Sequence, residues 1–190
     1  MAERVVEDPV LRQRYSFRRT TDEDGSEVLR VETWVDPGGG VTPHIHPSME
    51  ERFEVLAGNP SFLAGREWRS AGPGDVVVVP AGVRHSYRND GEEVAHIVCH
   101  ARPPSTLQEF LEDAAALNRA GKLTRRGLPK SPGALLPAAL IAHHNREMVV
   151  LLFPPAPPPF LQRLLFPPLA RLAERRGYEP GNFARCLEAE

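Results

Sequence analysis

Residues 38 to 58 read GGGVTPHIHPSMEERFEVLAG, and the spacing of the polar side chains in this stretch decides how the rest of the chain is read. His44 and His46 are separated by a single residue. On an extended strand, alternate side chains share a face, so both imidazoles point the same way. Glu51 shares parity with Phe53 and Val55, two apolar residues suited to an inner face, whereas Arg52 and Glu54 have the opposite parity and suit solvent. The alternation therefore selects Glu51, and not the adjacent Glu50, as the inward carboxylate. Two imidazoles and a carboxylate on one buried face are the donor types that hold divalent transition metals.

Outward from this stretch, residues 12 to 104 alternate short apolar runs with Gly/Pro turns. The runs 12–21 and 27–35 flank Asp22-Glu23-Asp24-Gly25, which predicts a hairpin. Asp36-Pro37-Gly38-Gly39-Gly40 breaks the second run. Strands are predicted over 52–56, 76–79 and 94–101, with turns at Gly58-Asn59-Pro60, Pro73-Gly74-Asp75, Pro80-Ala81-Gly82 and Asn89-Asp90-Gly91. Many short strands with turns of this kind predict a sandwich or barrel.

A second stretch, residues 74 to 89, reads GDVVVVPAGVRHSYRN. The first stretch follows the pattern Gly-x5-His-x-His-x4-Glu-x6-Gly and the second Gly-x5-Pro-x-Gly-x2-His-x3-Asn, with residues 59 to 73 between them. Together they resemble the two signature motifs of the cupin superfamily, in order and complete, and the resemblance covers about residues 12 to 104. It implies a mainly β fold, a double-stranded β-helix or jelly-roll barrel. It also implies that His44, His46, Glu51 and His85 are ligands of one divalent transition metal ion (Fe, Mn, Zn or Ni). Three histidines and one carboxylate leave positions on an octahedral ion open for substrate, water or dioxygen. The expected function is a metal-dependent small-molecule enzyme, with Fe(II)- or Mn(II)-dependent dioxygenase or isomerase chemistry and dioxygenase favoured. The alternative is a non-catalytic small-ligand-binding or sensor barrel.

Tyr87 lies two residues past His85 on the same strand face, and it either offers a phenol to substrate or packs at the rim. Tyr87, Phe53 and His96 are the candidate substrate contacts. For His96 and His100 the opposing set Ala95, Ile97 and Cys99 is at least as apolar, so the outward reading of the histidines is preferred. Arg30, Glu32 and Trp34 share a face that reads as solvated. Cys99 reads as a buried small hydrophobe. His143-His144 are adjacent on a helix, point about 100° apart and do not converge on a metal.

The composition changes at Pro103-Pro104, dividing the chain into a barrel over 1–104 and an α-helical extension over 105–190. Ser105 and Gln108 have the spacing of a capping box before a helix ended by Gly121. A second helix is expected from Gly133 to about Leu152, then a stiff proline segment over 154–159. A last helical piece is expected to be split at Pro167-Pro168, with Pro168 starting a new helix. Leu161, Leu164, Leu165, Leu169 and Leu172 make a stripe that reads as core against the barrel or a second subunit. A membrane-surface role for that stripe, which has arginines beside it, is the lesser reading.

The 190 residues carry a formal net charge of −2 and a sequence pI near 6.4. This balance makes no electrostatic case for a nucleic-acid partner. Two distant cysteines, no predicted secretory signal and no span of about 20 apolar residues point to a cytoplasmic protein that does not cross a membrane. A small-molecule ligand and a homodimer are the expected partners.

Overall fold

The structure is a computed structural model that describes residues 5–152 and 157–188. Of the proline segment expected over 154–159, residues 154–156 lie outside the described residues. Ten strands precede the first helix: β1 (Val5–Asp8), β2 (Gln13–Thr21), β3 (Glu27–Val35), β4 (His44–Ile45), β5 (Glu50–Ala57), β6 (Ser61–Ala64), β7 (Glu67–Ser70), β8 (Val76–Val79), β9 (His85–Arg88) and β10 (Ala95–Arg102). There follow α1 (Leu107–Arg119), α2 (Pro132–His144), β11 (Val150–Leu151), α3 (Pro159–Arg175) and α4 (Phe183–Glu188). The strands form a six-stranded sheet ordered β1-β2-β3-β10-β5-β8 and a five-stranded sheet ordered β11-β4-β9-β6-β7. The fold is mainly β and antiparallel, a double-stranded β-helix followed by helices.

The inner faces of both sheets share one apolar core, in which Val31, Phe53 and Ile97 of the first sheet meet Phe62 and Tyr87 of the second. Parity sets this arrangement. In β5 the buried residues are Glu51, Phe53 and Val55, while Glu50 and Arg52 are exposed. In β10, Ala95, Ile97, Cys99 and Ala101 are buried, and His96 and His100 face outward. A close approach fixes the chain just before the histidine strand. Gly40 has φ +145°, and a Cβ there would collide with the carbonyl of Tyr87, so only glycine fits.

The extension departs from the sequence reading in four places. Ser105 takes φ +46° and does not form the capping box with Gln108. The N-cap is Thr106, whose hydroxyl donates to Asn145 Oδ1 at 2.6 Å and accepts from no N–H of the helix. The second helix ends at His144, not near Leu152, because the Asn145 carbonyl accepts from Met148 and Val149 and turns the chain. Val150 and Leu151 then pair antiparallel with Ile45 and His44. Third, α3 runs unbroken through Pro167 and Pro168. Those prolines free the carbonyls of Arg163 and Leu164, and both residues are exposed, so water can replace the missing donors. Fourth, the leucine stripe does not pack inward as a whole, since Leu164, Leu165 and Leu172 are exposed.

The helices bury Ala and Leu side chains of α1, α2 and α3 in a second apolar cluster. Phe110 packs against both clusters and joins the extension to the barrel. Asp113, buried on α1, accepts from the backbone N–H groups of Gly181 at 2.6 Å and Phe183 at 3.1 Å, tying the start of α4 to α1. Among the described residues no helix is long and apolar enough to cross a membrane.

Candidate metal centre

Three separate pieces of chain bring four donors together. β4 supplies His44 and leads to His46, β5 supplies Glu51, and β9 supplies His85, which lies directly across the ladder from His44. One ligand atom from each of His44, His46, Glu51 and His85 lies within 4.8 Å of the others. The ring centroids of the histidines are 4.2 to 5.2 Å apart. Glu51 is buried, and the parity argument that chose it over Glu50 holds in the structure.

The imidazoles are oriented by backbone carbonyls. Nδ1 of His44 donates to Thr42 O at 2.8 Å, Nδ1 of His46 to Met148 O at 2.8 Å, and Nδ1 of His85 to Val83 O at 2.9 Å. A carbonyl can only accept, so each ring carries its proton on Nδ1 and turns its Nε2 lone pair toward the cluster. Nε2 of His46 and of His85 and Oε2 of Glu51 are buried without a satisfactory hydrogen-bond partner. Glu51 Oε2 is 2.8 Å from His85 Nε2, and Glu51 Oε1 is 3.8 Å from His46 Nε2. Two acceptors at 2.8 Å repel unless a cation lies between them, either a proton on His85 or a metal. The donor set therefore fits a bound divalent ion.

The electrostatics agree. Burial would raise the Glu51 carboxyl, but its close contact with His85, 2.8 Å away, and its interactions with the other two histidines prevail and hold it at about 2. Burial, with His85 and His46 nearby, lowers His44 to about 3. Burial likewise lowers His46. For His85 burial opposes the charge, yet Glu51 outweighs it and raises the imidazole above its ordinary value. At neutral pH the cluster thus offers an ionised carboxylate and at least two neutral imidazoles.

The four residues lie in the wall of a cavity of about 380 Å³, a volume in the range of small-molecule sites. Its other walls come from the barrel and the extension, among them Phe53, Tyr87, Phe110, Leu111, Leu135 and Phe166. Phe53 and Tyr87 are thus brought to the cavity. The Tyr87 hydroxyl is not wet, since it donates to Gln13 Oε1 at 2.9 Å, and the Gln13 amide in turn bonds the Tyr15 hydroxyl. His96 is not brought there. It faces outward, 2.7 Å from Glu32 Oε1 and stacked on Trp34, and Glu32 is also 2.6 Å from Arg30. His96 is therefore removed from the substrate contacts, because its parity opposes that of the cavity-facing Cys99.

Two neighbours of the cluster were not placed beside it by the sequence. Cys99 Sγ lies 3.6 Å from Glu51 Oε1 as a weak donor. Shared parity with Ile97 placed Cys99 inward, but only the pairing of Cys99 with Phe53 across β5 sets it beside Glu51. The Met148 carbonyl that orients His46 comes from 102 residues away, and no motif marks it.

Residues 32–100 match the family model described as a cupin domain. Among solved structures, an uncharacterized conserved protein with a double-stranded β-helix domain from Klebsiella pneumoniae subsp. pneumoniae MGH 78578 is 22% identical, covering 48% of this chain and 76% of that one, with a TM-score of 0.42. Rru_A2000 from Rhodospirillum rubrum, described as a cupin-2 domain, is 17% identical over 63% of this chain and 88% of that one, with a TM-score of 0.45. The polyketide cyclase RemF from Streptomyces resistomycificus is 23% identical over 54% and 78%, with a TM-score of 0.43. No curated protein matches the chain. Residues 32–100, within the barrel, thus carry a cupin domain.

Proposed function

We propose that this protein binds one divalent transition metal ion through His44, His46, Glu51 and His85 and acts on a small, largely apolar molecule held in the adjoining cavity. The observation that carries this reading is the orphaned, inward-facing donor set at the wall of the cavity. When bound, the ion would supply Lewis acidity or redox chemistry toward dioxygen, and dioxygenase chemistry with Fe(II) or Mn(II) is the first choice. Thr42, Val83 and Met148 hold the imidazoles in the ligating tautomer through their carbonyls. Phe53 and Tyr87 supply apolar walls that position the substrate, and the side chains of α1 and α2 exclude water from it. In this reading residues 1–104 carry the site and 105–190 close it.

A second reading, a ligand-binding or sensor barrel without turnover, is favoured by one observation. Outside the cluster, the cavity-lining Asp8, Tyr15, Tyr87 and Cys99 are each committed to an internal hydrogen bond, which leaves no free acid or base among them. Oxygen uptake by Fe(II)-loaded protein across phenols, thiols and keto acids separates the two. Uptake with any of them supports the enzyme. Tight ligand binding with no uptake under any metal supports the module. A homodimer in the cytoplasm completes the proposal, and light scattering tests the dimer.

A further inference from the structure

Helix α3 has two unlike sides. Ala170 and Ala173 are buried in the apolar cluster that it shares with α2, and Phe166 lines the cavity. On the outer side Phe160 is 70% exposed, Leu164 69%, Leu165 46% and Leu172 40%. Residues three and four apart on a helix are neighbours, so Phe160, Leu164 and Pro168 form one line, which Arg171 and Arg175 continue. The line is apolar over its first half and basic over its second. The helix and its C-cap carry Arg163, Arg171, Arg175 and Arg176 against the single acid Glu174. All four arginines are exposed, and none makes an ion pair among the described residues. The whole chain has a net charge of −2, so this local excess of positive charge is a concentration on one helix and not a property of the molecule.

We propose that the outer face of α3 docks on an anionic lipid surface, with Phe160, Leu164 and Leu165 entering the headgroup boundary and Arg171, Arg175 and Arg176 meeting lipid phosphates. Large exposed apolar side chains flanked by unpaired arginines are what an interfacial helix presents. A bilayer supplies both of its complements, an apolar layer at a depth of about 5–10 Å and negative charge above it. A second copy supplies only the first. A two-fold contact pairs the same patch with itself and would gather two sets of arginines with one glutamate each. Docking would also bring the cavity wall at Phe166 within about one helix diameter, roughly 10 Å, of the membrane. That position suits an apolar ligand delivered from the lipid phase, a consequence that rests on the proposed function.

The test is co-sedimentation of the full chain with vesicles of phosphatidylcholine alone and of phosphatidylcholine mixed with phosphatidylglycerol, each in low and high salt. Binding to the anionic vesicles that weakens in high salt is expected. The pair Phe160→Asp with Leu164→Asp, and separately the pair Arg171→Glu with Arg175→Glu, should each lower the bound fraction about tenfold or more. Circular dichroism and metal content should match the unsubstituted protein, which separates this inference from the metal reading. Protein that stays in the supernatant with anionic vesicles overturns the proposal, as does undiminished binding by either pair. So does a dimer in light scattering that Leu164→Asp converts to monomer, since the face would then be an interface between copies.

Discussion

Replacing Glu51 by Gln keeps the shape of the side chain and removes one negative charge from the cluster. Glu51 is buried, held near pKa 2, and 2.8 Å from His85 Nε2. Because it is already ionised and out of water in the metal-free protein, little further desolvation opposes its attraction for a metal ion. A unit charge about 4 Å away at an effective dielectric constant of about 20 is worth roughly 4 kcal/mol per unit of cation charge. A loss of at least about 3 kcal/mol, more than about a hundredfold in Kd, is therefore expected. Thermal unfolding reads this directly. At a Zn(II) or Ni(II) concentration about 100 times the Kd of the unsubstituted protein, binding stabilises by about 2.7 kcal/mol, and for the variant the same concentration gives about 0.4 kcal/mol or less. In a domain of this size 1 kcal/mol moves Tm by about 2–4 °C. A metal-dependent shift of about 5–10 °C should then shrink to about 1 °C. The neighbouring Glu50→Gln, on the exposed side of β5, should keep the full shift. If Glu51→Gln also keeps it, the carboxylate is not a ligand and the site is misassigned.

Removing both His44 and His46 by alanine substitution should leave purified protein without bound transition metal by elemental analysis, and metal retained by that variant contradicts the assignment. Acidity should weaken metal binding through His85, whose folded pKa is raised above 6.5. Below that pKa a proton must leave before metal enters, so affinity should rise about tenfold per pH unit from about pH 5 and level off above it. His44 at about 3 and Glu51 at about 2 are already deprotonated across that window. A flat titration calorimetry profile over this range is incompatible with His85 as a ligand. Tyr87→Phe removes the hydroxyl that donates to Gln13, so denaturant unfolding should show a loss of about 1 kcal/mol with metal affinity unchanged. Asp113→Ala strands two N–H groups at the start of α4 and should cost about 2–4 kcal/mol by the same measurement.

Period-two alternation was enough to choose Glu51 over Glu50 and to turn His96 outward, because on a strand a side chain's face follows from parity alone. Glycine and proline turns marked most strand ends, since the backbone angles they need exclude other residues. The two motifs supplied the four candidate ligands. Local sequence did not show where the extension would return. The Met148 carbonyl orients His46, and Val150–Leu151 extend the sheet beside β4, yet both contacts depend on how α2 ends at Asn145. The prolines of α3 read locally as a break. The helix persists because the carbonyls they free belong to exposed residues, a fact of tertiary placement. Cys99 beside Glu51 and the roof of the cavity are of the same kind. Residue type and spacing determined which side chains could bind a metal, while packing over more than a hundred residues decided how they are aimed, how they are closed off from water and which leucines remain outside.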